Sequence, residues 1–351
     1  MNIGIPKEIK VLEGRVALIP AAVTDLCRLG HQVCVEAGAG MASGYTDAAF
    51  EMAGAQIVAD AATLYARSRL IVKVKEPVAG DLAHLTAEHI VFSYLHLAAL
   101  PDLTQQLQYI GLTAIGFETV EVSGQLPLLA PMSDIAGRLS VQIGSNLLFR
   151  PNGGKGLLLG GLPGVERGRV VVLGAGMAGG SATLVAAALG AEVTVFDRNR
   201  DKLSQMRALG DNITALHSYS ESIAEAVQKA DLLVGAILVP GKKAMHLVSE
   251  SMVETMQAGS VIVDIAVDQG GCIETSRPTD YSQPTFERHG VTHFGVTNMP
   301  GAVPRSASQA LSAAILPWVE RLCADEWREE SALVAAINVE AGKVVHSALL
   351  T

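Results

Sequence analysis

One stretch limits what this chain can fold into more than any other: residues 169–197, RVVVLGAGMAGGSATLVAAALGAEVTVFD. Residues 170–173 are all apolar, the pattern of a parallel strand covered on both faces. Gly174, Gly176 and Gly179 then spell G-x-G-x-x-G. Residues 181–189 are rich in Ala and Leu and predict a helix. Gly190 stops that helix, and 192–196 predicts the next strand. Asp197 closes it, 23 residues after Gly174 (197 − 174). This order suits a dinucleotide. The first glycine makes the tight turn, the second lets the backbone approach a pyrophosphate, and the third lets helix and strand pack closely. The helix N-terminus offers N–H groups and the positive end of its dipole to the phosphates. A carboxylate after the second strand accepts hydrogen bonds from the adenosine ribose and repels a 2′-phosphate, so Asp197 predicts NAD over NADP.

A lone glycine pattern proves little; the strand before it, the helix after it and the acid at this distance make it specific. A generic glycine-rich turn does not account for that context. A membrane helix has to be weighed, because no charge falls between Val170 and Ala191 and about 20 apolar residues would span a bilayer. Five glycines in that window, with strand-like runs on both sides, argue against it.

The 351 residues suffice for two domains, and 49% hydrophobic content suffices for large cores. Only 17% of residues are charged, so buried surface between subunits is expected. A net charge of −9 excludes a broad basic face for nucleic acid. Cys27, Cys34, Cys272 and Cys323 are scattered, form no C-x-x-C pair and predict ordinary thiols. The first residues, MNIGIPKEIK, carry no long apolar run, and a soluble cytoplasmic protein is expected.

Strand, turn and helix signals alternate before the glycine motif: strands at 3–5, 32–36, 70–74, 89–95 and 113–118, with helices at 20–29, 47–53, 61–68 and 101–109. A helix at 133–149 and a glycine-rich loop at 151–163 lead into the motif. After it come strands at 213–217, 232–238, 260–266 and 293–296, with helices at 200–209, 220–230 and 248–258. A helix is predicted from Arg305 to Cys323, kinked at Pro317. The expected fold is α/β: two doubly wound parallel-sheet, Rossmann-like domains with a cleft between them.

In such sheets ligands sit beyond the carboxyl ends of the strands. Lys75, His96 and Asp268 each fall just past a predicted strand, and Arg15 lies in the loop after the first. Arg and Lys can hold a carboxylate or polarise a carbonyl, and His can pass a proton near neutral pH. That set suits a small 2-oxo or 2-amino acid beside a nicotinamide. Each residue also has a plainer account: a surface charge for Arg15 and Lys75, a turn anchor for Asp268, a hydrogen-bonded core residue for His96. His289 and His293 stand four apart, but Gly290 and β-branched neighbours predict strand, where that spacing does not gather two ligands; no metal is expected. Cys272 is expected to be structural.

Several segments together, IGIPKEIK with RVALIP, VKVKEP, YLHLA, APMSDIAGR, GGKGLLLGGLPGV, VVLGAGMAGG, DIAVDQGGCIETSRPT and VTNMPGAVPR, resemble the L-alanine dehydrogenase family across nearly the whole chain. The resemblance implies reversible oxidative deamination of L-alanine to pyruvate and ammonium with NAD. It implies substrate binding by Arg15 and Lys75, acid/base catalysis by His96, and a second catalytic role for Asp268. It implies nucleotide contacts from Ser133, Met132, Val239 and Asn298, with Asp197 on the adenosine ribose and Lys202 near the adenine. It implies a discontinuous substrate domain, 1–127 with 305–351, around a nucleotide domain at 128–304, and a homo-oligomer, a hexamer. Rival accounts are the NAD-binding subunit of a proton-translocating transhydrogenase and a non-catalytic NAD-binding sensor.

Overall fold

Short β-branched runs alternating with Ala- and Leu-rich segments leave each strand apolar on both faces, so helices must cover both sides of the sheets they form. The computed structural model describes residues 1–237 and 246–350. The chain divides into two units, Met1–Met132 with Gly301–Thr351, and Ser133–Pro300.

The first unit opens with six parallel strands, β1 (Asn2–Ile5), β2 (Gln32–Glu36), β3 (Gln56–Val58), β4 (Leu70–Val72), β5 (Ile90–Ser93) and β6 (Thr113–Gly116). The second contains β7 (Arg169–Leu173), β8 (Glu192–Asp197), β9 (Ile213–His217), β10 (Leu232–Gly235), β11 (Val261–Asp264), β12 (Thr285–Arg288) and β13 (Val291–Phe294). The chain then returns to the first unit through the helix Pro304–Leu322 and adds β14 (Ile337–Glu340) and β15 (Lys343–Val344).

Among the described residues the sheets run β15-β14-β6-β5-β4-β1-β2-β3 and β12-β13-β11-β10-β7-β8-β9. Each therefore contains one doubly wound core whose strand order reverses, between β1 and β4 in the first sheet and between β7 and β10 in the second. Central strands are buried along their whole length: Leu70–Val72 and Ile90–Ser93 in one sheet, Leu232–Gly235 and Val261–Asp264 in the other. Each such Leu, Ile or Val contributes roughly 1.5–3 kcal/mol by leaving water.

The sheets are mostly parallel rather than wholly so. β12 pairs antiparallel with β13, and β14 pairs antiparallel with both β6 and β15. The two hairpins turn through His289-Gly290 and Ala341-Gly342, and all four residues have positive φ. Two consecutive left-handed residues make a type I′ turn, whose twist matches that of the strands. The helix Pro304–Leu322 continues through Pro317. Cys27, Cys34, Cys272 and Cys323 are free thiols. No helix among the described residues is long and apolar enough to cross a membrane.

Candidate active site

The β1/β4 reversal of the first unit gathers charged side chains from the loops that leave adjacent strands. Arg15, in the loop after β1, is 2% exposed. Its Nε donates to Glu13 Oε1 at 2.6 Å and its Nη2 to Glu13 Oε2 at 2.5 Å. Glu13 Oε1 also accepts the Arg15 backbone N–H at 3.0 Å, so one carboxylate fixes both ends of the residue. Arg15 Nη1 lies 3.1 Å from Met132 Sδ. Burial works against the guanidinium charge, but the hydrogen bonds and charge of Glu13 outweigh it and hold the pKa above its ordinary value.

Lys73 and Lys75 leave the end of β4 and meet different environments. Lys73 is buried, donates to Asp81 Oδ2 at 2.7 Å and lies 3.6 Å from Glu8 Oε2. Tyr65 donates to the other Asp81 oxygen at 2.8 Å. Glu8 Oε1 accepts the backbone N–H groups of Val74 at 2.6 Å and Lys75 at 3.4 Å. Lys10 pairs with Glu76. The acids near Lys75 are thus engaged by other cations, and among the described residues none forms an ion pair with its ammonium. Burial, then the charge of Arg15, pushes the Lys75 pKa below its ordinary value.

His96 follows β5 with φ of +51°, a left-handed conformation that non-glycine residues rarely hold. Its ring stacks on Tyr94, with centroids 5.9 Å apart and planes 7° from parallel. Tyr94 is buried and donates to Leu128 O at 2.6 Å. Arg15, Lys75 and His96 therefore stand at the carboxyl ends of β1, β4 and β5, with Met132 against the first of them.

The second unit builds its site at the β7/β10 reversal. Gly174 has φ of +98°, and a Cβ there would lie 2.8 Å from Ala236 O. A Cβ on Gly179 would lie 1.8 Å from Gly174 O, so only glycine lets the helix Met177–Ala188 start this close to the turn. Among the described residues a Cβ on Gly176 meets nothing within 4 Å. Among the described residues that helix has no side-chain cap, and it has no acid in its first turn, so its first N–H groups are suited to another acceptor. Asp197 Oδ2 accepts the Ala175 N–H at 2.7 Å and Oδ1 that of Asn199 at 2.8 Å. The carboxylate thus ties the end of β8 to the glycine turn and retains lone pairs for further donors.

Ser133 lies in the first turn of the helix Ala130–Leu147. Its neighbour Asp134 accepts from Ser181 Oγ at 2.6 Å, and a Cβ on Gly137 would lie 2.1 Å from Ala178 O. Ser133 is thereby brought close to the start of the nucleotide helix. Lys202 is exposed on the helix Arg200–Arg207. Asp268 is exposed on a single 3-10 turn, Val267–Gln269, after β11. Asn298, beyond β13, has φ of +63°. Val239 lies outside the described residues. The turn that carries Asp268 is held by a residue sequence reasoning passed over. Asp264 is 1% exposed, accepts N–H groups from Ala266 at 3.1 Å and Cys272 at 3.2 Å, and has its pKa pushed up to about 6 by burial. Cys272 is fully buried, and its thiol pKa is raised by burial and by Asp264.

Glu13 and Asp134 were also not anticipated; the acid two residues before Arg15, and the one beside Ser133, were the available signals. His289 and His293 do not converge. His293 is buried against Thr275 Oγ1 at 2.7 Å, while His289 faces Glu250 and Glu254 at the surface, where Arg288 also binds Glu250. The glycine turn fits a dinucleotide: an open face at Gly176, uncapped helix N–H groups and an acid at the end of the next strand.

Comparisons with known proteins show the family and the fold. Residues 4–136 match the family described as alanine dehydrogenase/PNT, N-terminal domain, and residues 140–347 match alanine dehydrogenase/PNT, C-terminal domain. Alanine dehydrogenase of Bacillus subtilis is 46% identical over 355 residues, covering 99% of this chain and 94% of that protein. Alanine dehydrogenase of Mycobacterium tuberculosis is 46% identical over 357 residues, covering 100% of this chain and 96% of that protein. A solved L-alanine dehydrogenase structure superposes with a TM-score of 0.96 at 50% identity, covering 99% of this chain and 98% of that one. A transhydrogenase from Sinorhizobium meliloti superposes with a TM-score of 0.86 at 28% identity, covering 99% and 100%.

Proposed function

This chain belongs to the alanine dehydrogenase/PNT family, and we propose that it catalyses the reversible oxidative deamination of L-alanine to pyruvate and ammonium with NAD. Membership makes it an oxidoreductase acting on small molecules with a dehydrogenase-type nucleotide cofactor. Asp197, at the position that meets the adenosine ribose in this fold, supports NAD over NADP.

The observation that carries the proposal is the cationic pair at the β1/β4 reversal. Arg15 is held in one orientation by Glu13, and Lys75 is half-buried with no carboxylate partner among the described residues. A small 2-amino or 2-oxo acid presents groups suited to the pair: a carboxylate for the Glu13-oriented Arg15 and a carbonyl or imine end for Lys75. A bound nucleotide would supply the hydride acceptor; once the alanine ammonium has given a proton to solvent, loss of hydride from the α-carbon would leave an iminium carbon. Water adds there, and His96 or Asp268 takes its proton. Collapse of the carbinolamine gives pyruvate as ammonium leaves. Ser133, Met132, Val239, Asn298 and Lys202 complete the nucleotide contacts in this proposal. The low charged fraction fits a homo-oligomer, a hexamer in the cytoplasm, which light scattering tests.

The deciding experiment follows the nicotinamide absorbance of the purified protein with L-alanine and NAD, and in reverse with pyruvate, ammonium and NADH. Turnover in both directions is expected. Absence of alanine-dependent NADH formation, with nucleotide binding intact, would refute the assignment and leave a binding or transhydrogenase role.

A further inference from the structure

We propose that Glu118 is the positioning residue of His96, holding its backbone so that the imidazole points where a proton must be moved. This rests on the assignment of His96 as a proton-transferring group. Glu118 sits in the 3-10 turn Phe117–Thr119 that follows β6, beside the end of β5. Its Oε1 accepts the His96 N–H at 2.6 Å and the Leu95 N–H at 3.1 Å, and its Oε2 approaches the Leu95 N–H at 3.2 Å. These two amides lie just past the last ladder bond of the segment, Tyr94 N–H to Val74 O at 3.1 Å, where the chain turns out of the sheet. On the other side, the His96 carbonyl accepts the Ala99 N–H at 3.0 Å.

Among the described residues nothing hydrogen-bonds the His96 ring. Its direction therefore depends on the stack against Tyr94 and on a backbone held in the left-handed region. Without an acceptor for the Leu95 and His96 N–H groups, that conformation relaxes toward ordinary φ and the ring swings with it. Glu118 is itself braced from the far end of the chain. Thr119 Oγ1 donates to Ala336 O at 3.0 Å and accepts from Asn338 Nδ2 at 2.8 Å.

The test compares Glu118→Ala, Glu118→Gln, His96→Ala and the His96→Ala/Glu118→Ala pair in the full-length protein. It measures kcat and KM for L-alanine oxidation and NADH affinity by fluorescence. Misplacing a proton-transfer group by about 1 Å costs on the order of 100-fold, so Glu118→Ala is expected to lower kcat by about 10- to 100-fold. Alanine KM and NADH affinity should stay within about threefold, because the loss lies in orientation rather than binding. The glutamine oxygen can take the place of Oε1, so Glu118→Gln should be rescued to within about threefold of native. In the His96→Ala background the second substitution should cost less than about twofold, because two residues acting as a unit are not additive. Should Glu118→Ala fail to fold, Glu118→Asp replaces it: the charge stays, the reach is one methylene short, and kcat should still fall. Native turnover in whichever of these folds, a glutamine variant as slow as alanine, or full additivity with His96→Ala would overturn the proposal. Near-native turnover of His96→Ala alone would instead overturn the role of His96.

Discussion

The second and third glycines of the nucleotide turn, Gly176 and Gly179, separate ligand binding from fold. Gly179→Ala places a methyl 1.8 Å from Gly174 O and 2.8 Å from Gly174 C. Ordinary contact begins near 3.4 Å, so backbone must move by more than 1 Å where helix and turn meet. Overpacking of this kind costs about 1–3 kcal/mol, and backbone on both sides puts this case at or above the upper end. Gly176→Ala meets nothing within 4 Å among the described residues and has φ of −74°, which alanine adopts freely. Its effect on stability should be about 0.5 kcal/mol in either direction, since alanine loses less chain entropy on folding but is the poorer N-cap. A pyrophosphate lying against this turn would meet the new methyl directly. Thermal unfolding without nucleotide and NADH titration by fluorescence read the two effects apart. Gly179→Ala should melt several degrees lower. Gly176→Ala should melt like native and bind NADH at least about tenfold more weakly, equal to ~1.4 kcal/mol. Native affinity in Gly176→Ala would refute the placement of the phosphates, and a native melting temperature in Gly179→Ala would refute the packing.

Two further outcomes follow from the acids. Asp197→Ala should narrow the NAD-to-NADP ratio of kcat/KM by about 10- to 100-fold, the worth of hydrogen bonds to a charged group, and should weaken NAD itself because the Ala175 and Asn199 amides lose their acceptor. An unchanged ratio would show that another residue discriminates. The Asp264 pKa rises from 3.8 to about 6 on folding, so between those values the folded chain binds more protons than the unfolded one. Stability from this group is therefore fullest below about pH 4 and falls as pH rises to about 6, by up to ~3 kcal/mol. Denaturant unfolding of native and Asp264→Asn proteins across that range should show the difference; a pH-independent gap would refute it.

The nucleotide unit was legible because its demands are local. Gly174, Gly176, Gly179 and Asp197 stand at fixed spacing, Lys75, His96 and Asp268 each fall just past a β-branched run, and Arg15 lies in the loop after the first strand. What escaped sequence reasoning acts through backbone across the fold. Glu118 matters because β6 lies beside β5, and Asp264 because its loop folds back on it. Neither fact has a spacing. β3 is three residues long and gives almost no periodic signal. β12, β14 and β15 hide behind His-Gly and Ala-Gly turns, which lack the Asn or Asp that advertises a type I′ hairpin.

The antiparallel pairing of β14 with β6 joins Ile337 to Ile115 across more than two hundred intervening positions. During synthesis β6 waits as an unprotected edge while the entire second unit emerges from the ribosome. Its exposed amides and carbonyls are a template for pairing with other chains over that interval. The Thr119 brace from Asn338 also arrives only then, so vectorial assembly completes the nucleotide half of the molecule before the half that holds His96.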